Sequence, residues 1–324
     1  MSVTVRVPAK VNLHLGVGGT RPDGYHELVS VFQSVSLFDT VTATGAPELS
    51  VTVAGEDTAA VPADHRNLAA RAAALLAERI GVEPGVHLHI DKRIPVAGGM
   101  AGGSADAAAA IVACAALWGL EPDHEALHEV AVQVGSDVAF ALLGGTAIGT
   151  GRGENLTPLT HCGRFHWVFA LAHEGLSTPR VFVECDRLRA EAGTPPPEGP
   201  ALDPAADFEA ALASGDPARL AALLRNDLQG AALTIRPELA DTLGSGLAAG
   251  ALGALVSGSG PTCAFLVRDE EAARTVAAAL VASGHCRSVR TAHGPVDGPA
   301  ARVTTATDTT GTDRSSLYIS QGAA

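Results

Sequence analysis

Lysine is nearly missing from this chain of 324 residues. Lys10 and Lys92 are the only two, so arginine supplies twenty of the 22 basic side chains. Positive charge as a whole is in deficit: the formal net charge is −13. That balance excludes a general electrostatic footprint for nucleic acid or an anionic membrane, though not a local cationic pocket. Aromatic residues make up only 4%. No apolar run reaches the about 18 to 20 residues that cross a bilayer. The start, Met1 to Lys10, alternates like a strand and has no apolar core of the kind a secretory signal needs. The five cysteines, Cys114, Cys162, Cys185, Cys263 and Cys286, are odd in number and form no CxxC pair. They are expected to be reduced, mostly buried thiols in a cytoplasmic protein, with no disulfide framework. Collagen and coiled coil are excluded by composition.

What is present is apolar bulk. Hydrophobic residues reach 47%, enough for a sizeable core in each of about two domains. Val3 to Val7 and Val11 to Val17 alternate like half-buried strands, as do Leu49 to Val53 and Val86 to Ile90. Helices are expected at Asn67 to Ile80, capped by Asn67 and stopped by Gly81, then at Ser104 to Trp118 and Glu125 to Val134. Val138 to Leu143 reads as a short helix and Gly144 to Gly153 as a strand with turns. A strand at His166 to Ala172 opens the second half. Gly193 to Pro204 is a proline- and glycine-rich loop. Helices near Pro217 to Arg225 and Pro237 to Ala249 follow. The order then runs strand 254–256, glycine turn, strand 263–267, helix 270–283, strand 287–293. This succession predicts an α+β sandwich rather than a doubly wound sheet. From Asp297 to Ala324 a flexible tail is expected.

The segment from Pro95 to Asp106 carries the most chemistry. Gly98, Gly99, Gly102 and Gly103 follow a strand and precede an alanine-rich helix. Missing Cβ atoms let backbone N–H groups approach a ligand. The helix start adds unpaired N–H groups and the positive end of its dipole. Together these predict a phosphate site. It is not the common P-loop, because Ser104 stands where G-x-x-x-x-G-K-[ST] requires lysine. It does not fit G-x-G-x-x-G either. A merely structural tight turn is the competing reading, and Asp106 is expected to favour the helix dipole.

The run Pro-x-x-Gly-Gly-x-x-Gly-Gly-Ser resembles the phosphate loop of the GHMP kinase superfamily. Pro8-Ala9-Lys10-Val11-Asn12-Leu13 resembles that superfamily's first motif, and Ser257-Gly258-Ser259-Gly260-Pro261-Thr262 its third. Arg21-Pro22-Asp23-Gly24-Tyr25-His26-Glu27-Leu28 is similar to the branch that acts on a cytidine-diphospho polyol of the non-mevalonate isoprenoid route. The resemblance implies a two-domain α+β fold, with an N-terminal domain like ribosomal protein S5 domain 2 and a ferredoxin-like C-terminal sandwich. Boundaries are expected at 1–155 and 156–296, with the tail at 297–324. It implies ATP-dependent phosphorylation of the polyol's 2-hydroxyl, with ATP as donor and Mg²⁺ present. A homoserine or mevalonate kinase is the alternative, disfavoured because neither substrate has a base to stack. Small molecules would be the partners, without nucleic acid or membrane, in a monomer or homodimer.

The resemblance also implies residue roles. Asp137 would be the base that takes the alcohol's proton and Lys10 the catalytic cation beside it. Asn12, Tyr25 and His26 would read the cytidine, with Thr178 and Phe182 opposite. By residue type alone Phe182 fits a core position equally well. Pro95, Val96, Ala97, Gly98, Gly99, Met100, Ala101, Gly102, Gly103, Ser104 and Ala105 would cradle ATP, with Asn67 and Leu68 near adenine. Gly258, Ser259 and Gly260 would support the loop. Ser104 is the candidate Mg²⁺ ligand. Lys92 is expected to be solvated or peripheral to nucleotide.

Overall fold

In the computed structural model, residues 1–304 are described, apart from Ala97, Pro122, Asp123, Pro200, Ala201 and Asp203; for 301–304 the backbone alone is described. The two predicted N-terminal strands are one: β1 (Ser2–Thr20) runs unbroken, with register shifts after Pro8, Asn12 and Val17. Its partner β2 (His26–Gly45) is the largest element the sequence pattern did not reveal. β3 (Ser50–Gly55), α1 (Leu68–Ile80) and β4 (Val86–Lys92) follow close to expectation. Asn67 caps α1 by accepting from the Ala69 N–H, and Gly81 ends it at φ 73°.

α2 (Gly102–Leu117) starts two residues earlier than expected. Nearly all of its surface is buried, because alanine lets neighbouring elements approach on every side. Against it pack β1, β2, α1, α3 (Glu125–Val134) and α4 (Ser136–Leu143). β5 (Thr146–Gly151) and β6 (Asn155–Pro158) extend the sheet beside β2.

The second half opens with β7 (Phe165–Leu171). Three of its helices escaped the sequence reading: α5 (Thr178–Ala192), α6 (Ala205–Ser214) and α8 (Gln229–Ile235). Their apolar faces are narrow, so periodicity gave little signal. α7 (Pro217–Ala221) is shorter than expected, because residues 225–226 form the short strand β8. Then come α9 (Glu238–Ala248), β9 (Gly253–Val256), β10 (Cys263–Val267), α10 (Glu270–Ser283), β11 (Ser288–Gly294) and β12 (Ala300–Thr304).

The described strands form two sheets. The first has the order β12-β1-β2-β4-β3, with β5, β6 and β8 attached beside it. The second is β11-β7-β10-β9, antiparallel throughout. The expected flexible tail from residue 297 needs correction. Asp297 bridges Gly144, and residues 300–304 pair antiparallel with residues 2–6 of β1. Backbone hydrogen bonds to an edge strand, which are independent of side-chain identity, hold a segment that composition alone marks as loose. Residues 305–324 lie outside the described residues. Sheet membership supports a proposed division near residue 155, with β8 and β12 returned to the first sheet. The five thiols are unbridged; Cys114, Cys185 and Cys263 are buried and Cys162 is exposed.

Candidate active site

A cleft of about 630 Å³ runs between the phosphate-loop segment, the face of β1 that carries Lys10, and α5. Alternation along β1 sends Val11 and Leu13 into the core and leaves Lys10 and Asn12 facing the cleft. Lys10 is only 6% exposed. Its Nζ donates to Asn12 Oδ1 at 2.5 Å, and Asn12 Nδ2 donates to Ser30 Oγ at 2.7 Å. Ser30 Oγ in turn donates to His14 O at 2.9 Å. This chain fixes the ammonium, whose Nζ lies 3.8 Å from Asp137 Oδ2. Asp137 sits in the first turn of α4, where the helix dipole favours its charge, and its side chain is 38% exposed to the cleft. A partly open carboxylate beside a held cation can accept a proton from an alcohol.

The glycine loop is shaped by the third motif. Gly99 has φ 73°, and a Cβ there would lie 2.0 Å from Ser257 O. A Cβ on Gly98 would press on Thr262 Oγ1 at 2.8 Å. Ser257 Oγ donates to Gly99 O at 3.1 Å. So two of the glycines are there to let the Ser257–Thr262 turn dock. Pro95, Val96, Gly98, Gly99, Ala101, Gly102, Gly103 and Ser104 line the cleft, as do Asn67 and Leu68. Met100 and Ala105 do not: both are buried in the core. Ala97 lies outside the described residues. Asn67 spends its amide on the fold, donating to Pro62 O and accepting from Ala69 N.

Of the two placements expected for Lys92, the solvated one is wrong, while the side chain does reach the cleft beside the glycine loop. It is 1% exposed, and its Nζ donates to Asp106 Oδ2 at 2.7 Å and to Asp39 Oδ2. Asp39 also accepts from the backbone N–H groups of Arg93 and Ile94. Burial drives the Asp106 carboxyl upward in pKa, against the pull of the Lys92 ammonium and with the Asp39 charge adding to the rise. Asp106 is therefore a buried ion-pair partner, more than a dipole acid. A strand-end lysine gives no sequence signal of burial, because its two carboxylates arrive from β2 and α2.

Thr178, Phe182, Gly258, Ser259 and Gly260 also line the cleft. Thr178 and Ser259 share a hydrogen bond of 2.7 Å between their hydroxyls. Phe182 lines the cleft and also packs on the second core. Tyr25 and His26 stand beside the cleft and are not among its lining residues. Tyr25 is 58% exposed, with the Arg152 guanidinium 5.0 Å from its ring centre. His26 lies against Phe182, ring centres 5.0 Å apart, and its Nε2 hydrogen-bonds both oxygens of Asp186 at 3.0 Å. Phe182 and Asp186 share a face of α5, four residues apart. Sequence reading missed Asp186, Arg152 and also Asn226. Asn226 Nδ2 donates to Val256 O and Gly258 O, fastening the third motif to β8. Single polar residues far apart in sequence carried no pattern that could have marked them.

Known proteins resemble this chain in sequence and in fold. The model for the GHMP kinases N terminal domain matches residues 67–145, and that for the GHMP kinases C terminal domain matches residues 208–286. A 4-diphosphocytidyl-2-C-methyl-D-erythritol kinase of Thermobifida fusca is 61% identical over 305 residues, covering 92% of this chain and 97% of its own. One from Streptomyces avermitilis is 59% identical, covering 92% and 99%. The chain belongs to the 4-diphosphocytidyl-2-C-methyl-D-erythritol kinase family. A solved 4-(cytidine 5'-diphospho)-2C-methyl-D-erythritol kinase superposes with TM-score 0.71 at 34% identity, covering 90% of this chain and 98% of that one. A homoserine kinase from Cytophaga hutchinsonii gives TM-score 0.70 at 20% identity, covering 93% and 97%, and shares the fold. Within the family the GHMP architecture assigned from three short motifs therefore stands. So does the specific branch suggested by the Arg21 to Leu28 run.

Proposed function

We propose that the protein transfers the γ-phosphoryl group of ATP to the 2-hydroxyl of 4-diphosphocytidyl-2-C-methyl-D-erythritol, releasing ADP and the 2-phosphate. The observation that carries this reading is Lys10 Nζ held 3.8 Å from Asp137 in a cleft walled by the glycine loop. Asp137 takes the proton of the attacking hydroxyl. Lys10, beside it, offsets charge that builds on the transferring group. The phosphates of ATP rest on the N–H groups opening α2, with adenine toward Asn67 and Leu68. Tyr25, His26 and Phe182 receive the cytosine, and Asn12 and Thr178 complete the substrate wall. Stacking of this kind contributes about 1–3 kcal/mol per base.

Magnesium belongs to the same reading. The ion prefers oxygen ligands and keeps several waters. Ser104, a hydroxyl-bearing residue, lines the cleft. Among the described residues no group of three His, Cys, Asp or Glu side chains could hold a metal. That donor set fits an ion carried by the phosphates, with Ser104 as its protein ligand; when bound, it neutralises phosphate charge. The unbridged thiols support a cytoplasmic enzyme. No helix among the described residues is long and apolar enough to cross a membrane.

The test is ADP release with the cytidine-diphospho substrate, run beside methylerythritol phosphate, homoserine and mevalonate. Turnover of the first alone is expected. Turnover of homoserine or mevalonate in its place would overturn the substrate assignment.

A further inference from the structure

Adenine is proposed to lie toward Asn67 and Leu68, and the segment that leads there from β3 is thinly anchored. None of the residues from Glu56 to Arg66 is buried. The segment holds one 3₁₀ turn, Thr58–Ala60. Burial of apolar side chains therefore does not hold it in place. Yet Ala60, Val61 and Pro62 line the cleft beside Asn67 and Leu68. A second cavity, of about 290 Å³, shares Ala60, Pro95, Val96 and Gly98 with the cleft. Ala60 thus stands as a partition between two open spaces.

Polar fasteners do the holding. At the start, Glu56 N–H donates to Lys92 O at 2.9 Å. Near the end, Asn67 Nδ2 donates to Pro62 O at 2.7 Å. The others come from the second half of the chain. Arg287 Nη1 and Nη2 each donate to one oxygen of Asp57 at 2.7 Å, and Arg290 Nη2 donates to Glu56 Oε2 at 2.7 Å. Arg290 lies on β11 and Arg287 directly before it. The Arg287 N–H donates to Leu171 O at 2.7 Å, so the cation stands on the second sheet while its carboxylate belongs to the first half. Two parallel bonds fix orientation as well as distance. They close on Asp57 itself, whose φ of 53° is a left-handed conformation uncommon outside glycine.

We infer that Arg287, through Asp57, positions segment 56–67 as the outer wall of the nucleotide site and so sets the affinity for ATP. The inference rests on the nucleotide reading above. Arg287 is a positioning residue: it lines the second cavity, behind the wall, and is not among the residues lining the cleft. An exposed single-bond pair would contribute little, but a bidentate fork backed by the neighbouring Arg290–Glu56 pair is a network that orders the loop between them.

The test compares the wild type with Arg287→Gln, Asp57→Asn, the double variant and Arg287→Lys. Asparagine accepts the left-handed conformation, so Asp57→Asn removes the charge and keeps the backbone. Each of the first two should raise KM for ATP about three- to tenfold. KM for the cytidine-diphospho substrate, kcat and Tm should stay near wild type. The double variant should be no worse than either single one, and Arg287→Lys should recover part of the loss. An unchanged KM for ATP, additive loss in the double variant, or a fall in Tm that tracks KM overturns the positioning role. Binding of ADP by calorimetry, which needs no phosphate acceptor, separates this from failure of the nucleotide reading. Arg287→Gln and Leu68→Ala should both weaken it. If Leu68→Ala alone does, Arg287 positions nothing; if neither does, adenine lies elsewhere and both readings fall. Trypsin reads the segment directly, because Arg66 is its one target from Glu56 to Asn67. Arg287→Gln should be cut there faster than the wild type, and equal rates overturn the inference.

Discussion

At the scale of single residues, charge placement decides what each acid and base does. Lys10 and Lys92 are the same residue type, both more than nine-tenths buried. Lys10 meets one carboxylate, partly open to the cleft, and its neighbour Asn12. Lys92 meets two carboxylates inside the core. The first arrangement leaves an acid able to take a proton; the second is spent on structure. Replacing Asp137 by Asn removes the proton acceptor and keeps the shape. kcat should fall by about 10²- to 10⁴-fold, with ATP affinity by calorimetry unchanged. An unaltered kcat would remove Asp137 from the role of base. The motif at Pro8 to Leu13 made Lys10 legible. Nothing local to Lys92 showed that Asp39, from within β2, would reach it.

At the scale of elements, glycine positions separate docking from mere conformation. Gly99 and Gly119 both hold positive φ, 73° and 76°. Only Gly99 has a neighbour where a Cβ would go, at 2.0 Å from Ser257 O. Gly119→Ala should cost about 1–3 kcal/mol of stability from backbone strain alone and leave KM for ATP near wild type. Gly99→Ala should displace the Ser257–Thr262 turn and raise KM for ATP sharply. Paired thermal melts and steady-state assays check both, and equal behaviour of the two variants would refute the docking role. Helix α1 was readable because Asn67 and Gly81 punctuate it on both sides. Strand β2 was not. Its buried stretch, Val29 to Val35, is apolar and polar without clean alternation, because both faces are covered there.

At the scale of the whole molecule, the buried Asp39–Lys92–Asp106 cluster joins β2, β4 and α2 directly beneath the phosphate loop. A Cβ on Gly102, the first residue of α2, would lie 3.2 Å from Lys92 Nζ. Lys92→Met strands two buried carboxylates and should cost about 3–5 kcal/mol in urea denaturation. Adding Asp106→Asn to that background should recover part of the loss, since an amide is neutral there without the proton that burial makes the carboxyl hold. No recovery would show that the cluster acts through packing alone. The chain also closes on itself through β12. Truncation after residue 296 should lower Tm by exposing the edge of β1. An unchanged melting curve would mean that the β1–β12 pairing contributes no stability.

The amino-acid order by itself determined the chemistry-bearing segments: the Lys10 motif, the glycine loop, Asp137 and the third glycine turn. The glycine loop was legible from its own residue chemistry, and the other three from their resemblance to GHMP kinase motifs, because each lies in a short contiguous stretch. Only the tertiary structure decided that Lys92 is buried, that residues 300–304 complete the first sheet, and that Arg152 lies against Tyr25 and lines the same cleft as Asp137. Those facts depend on contacts between residues far apart in sequence, and no local period encodes them. The net charge of −13 limited the partners without locating a cation. Folding turns that balance into a site, because it gathers Lys10, Arg66, Lys92 and Arg152 along one cleft and sets a carboxylate beside each.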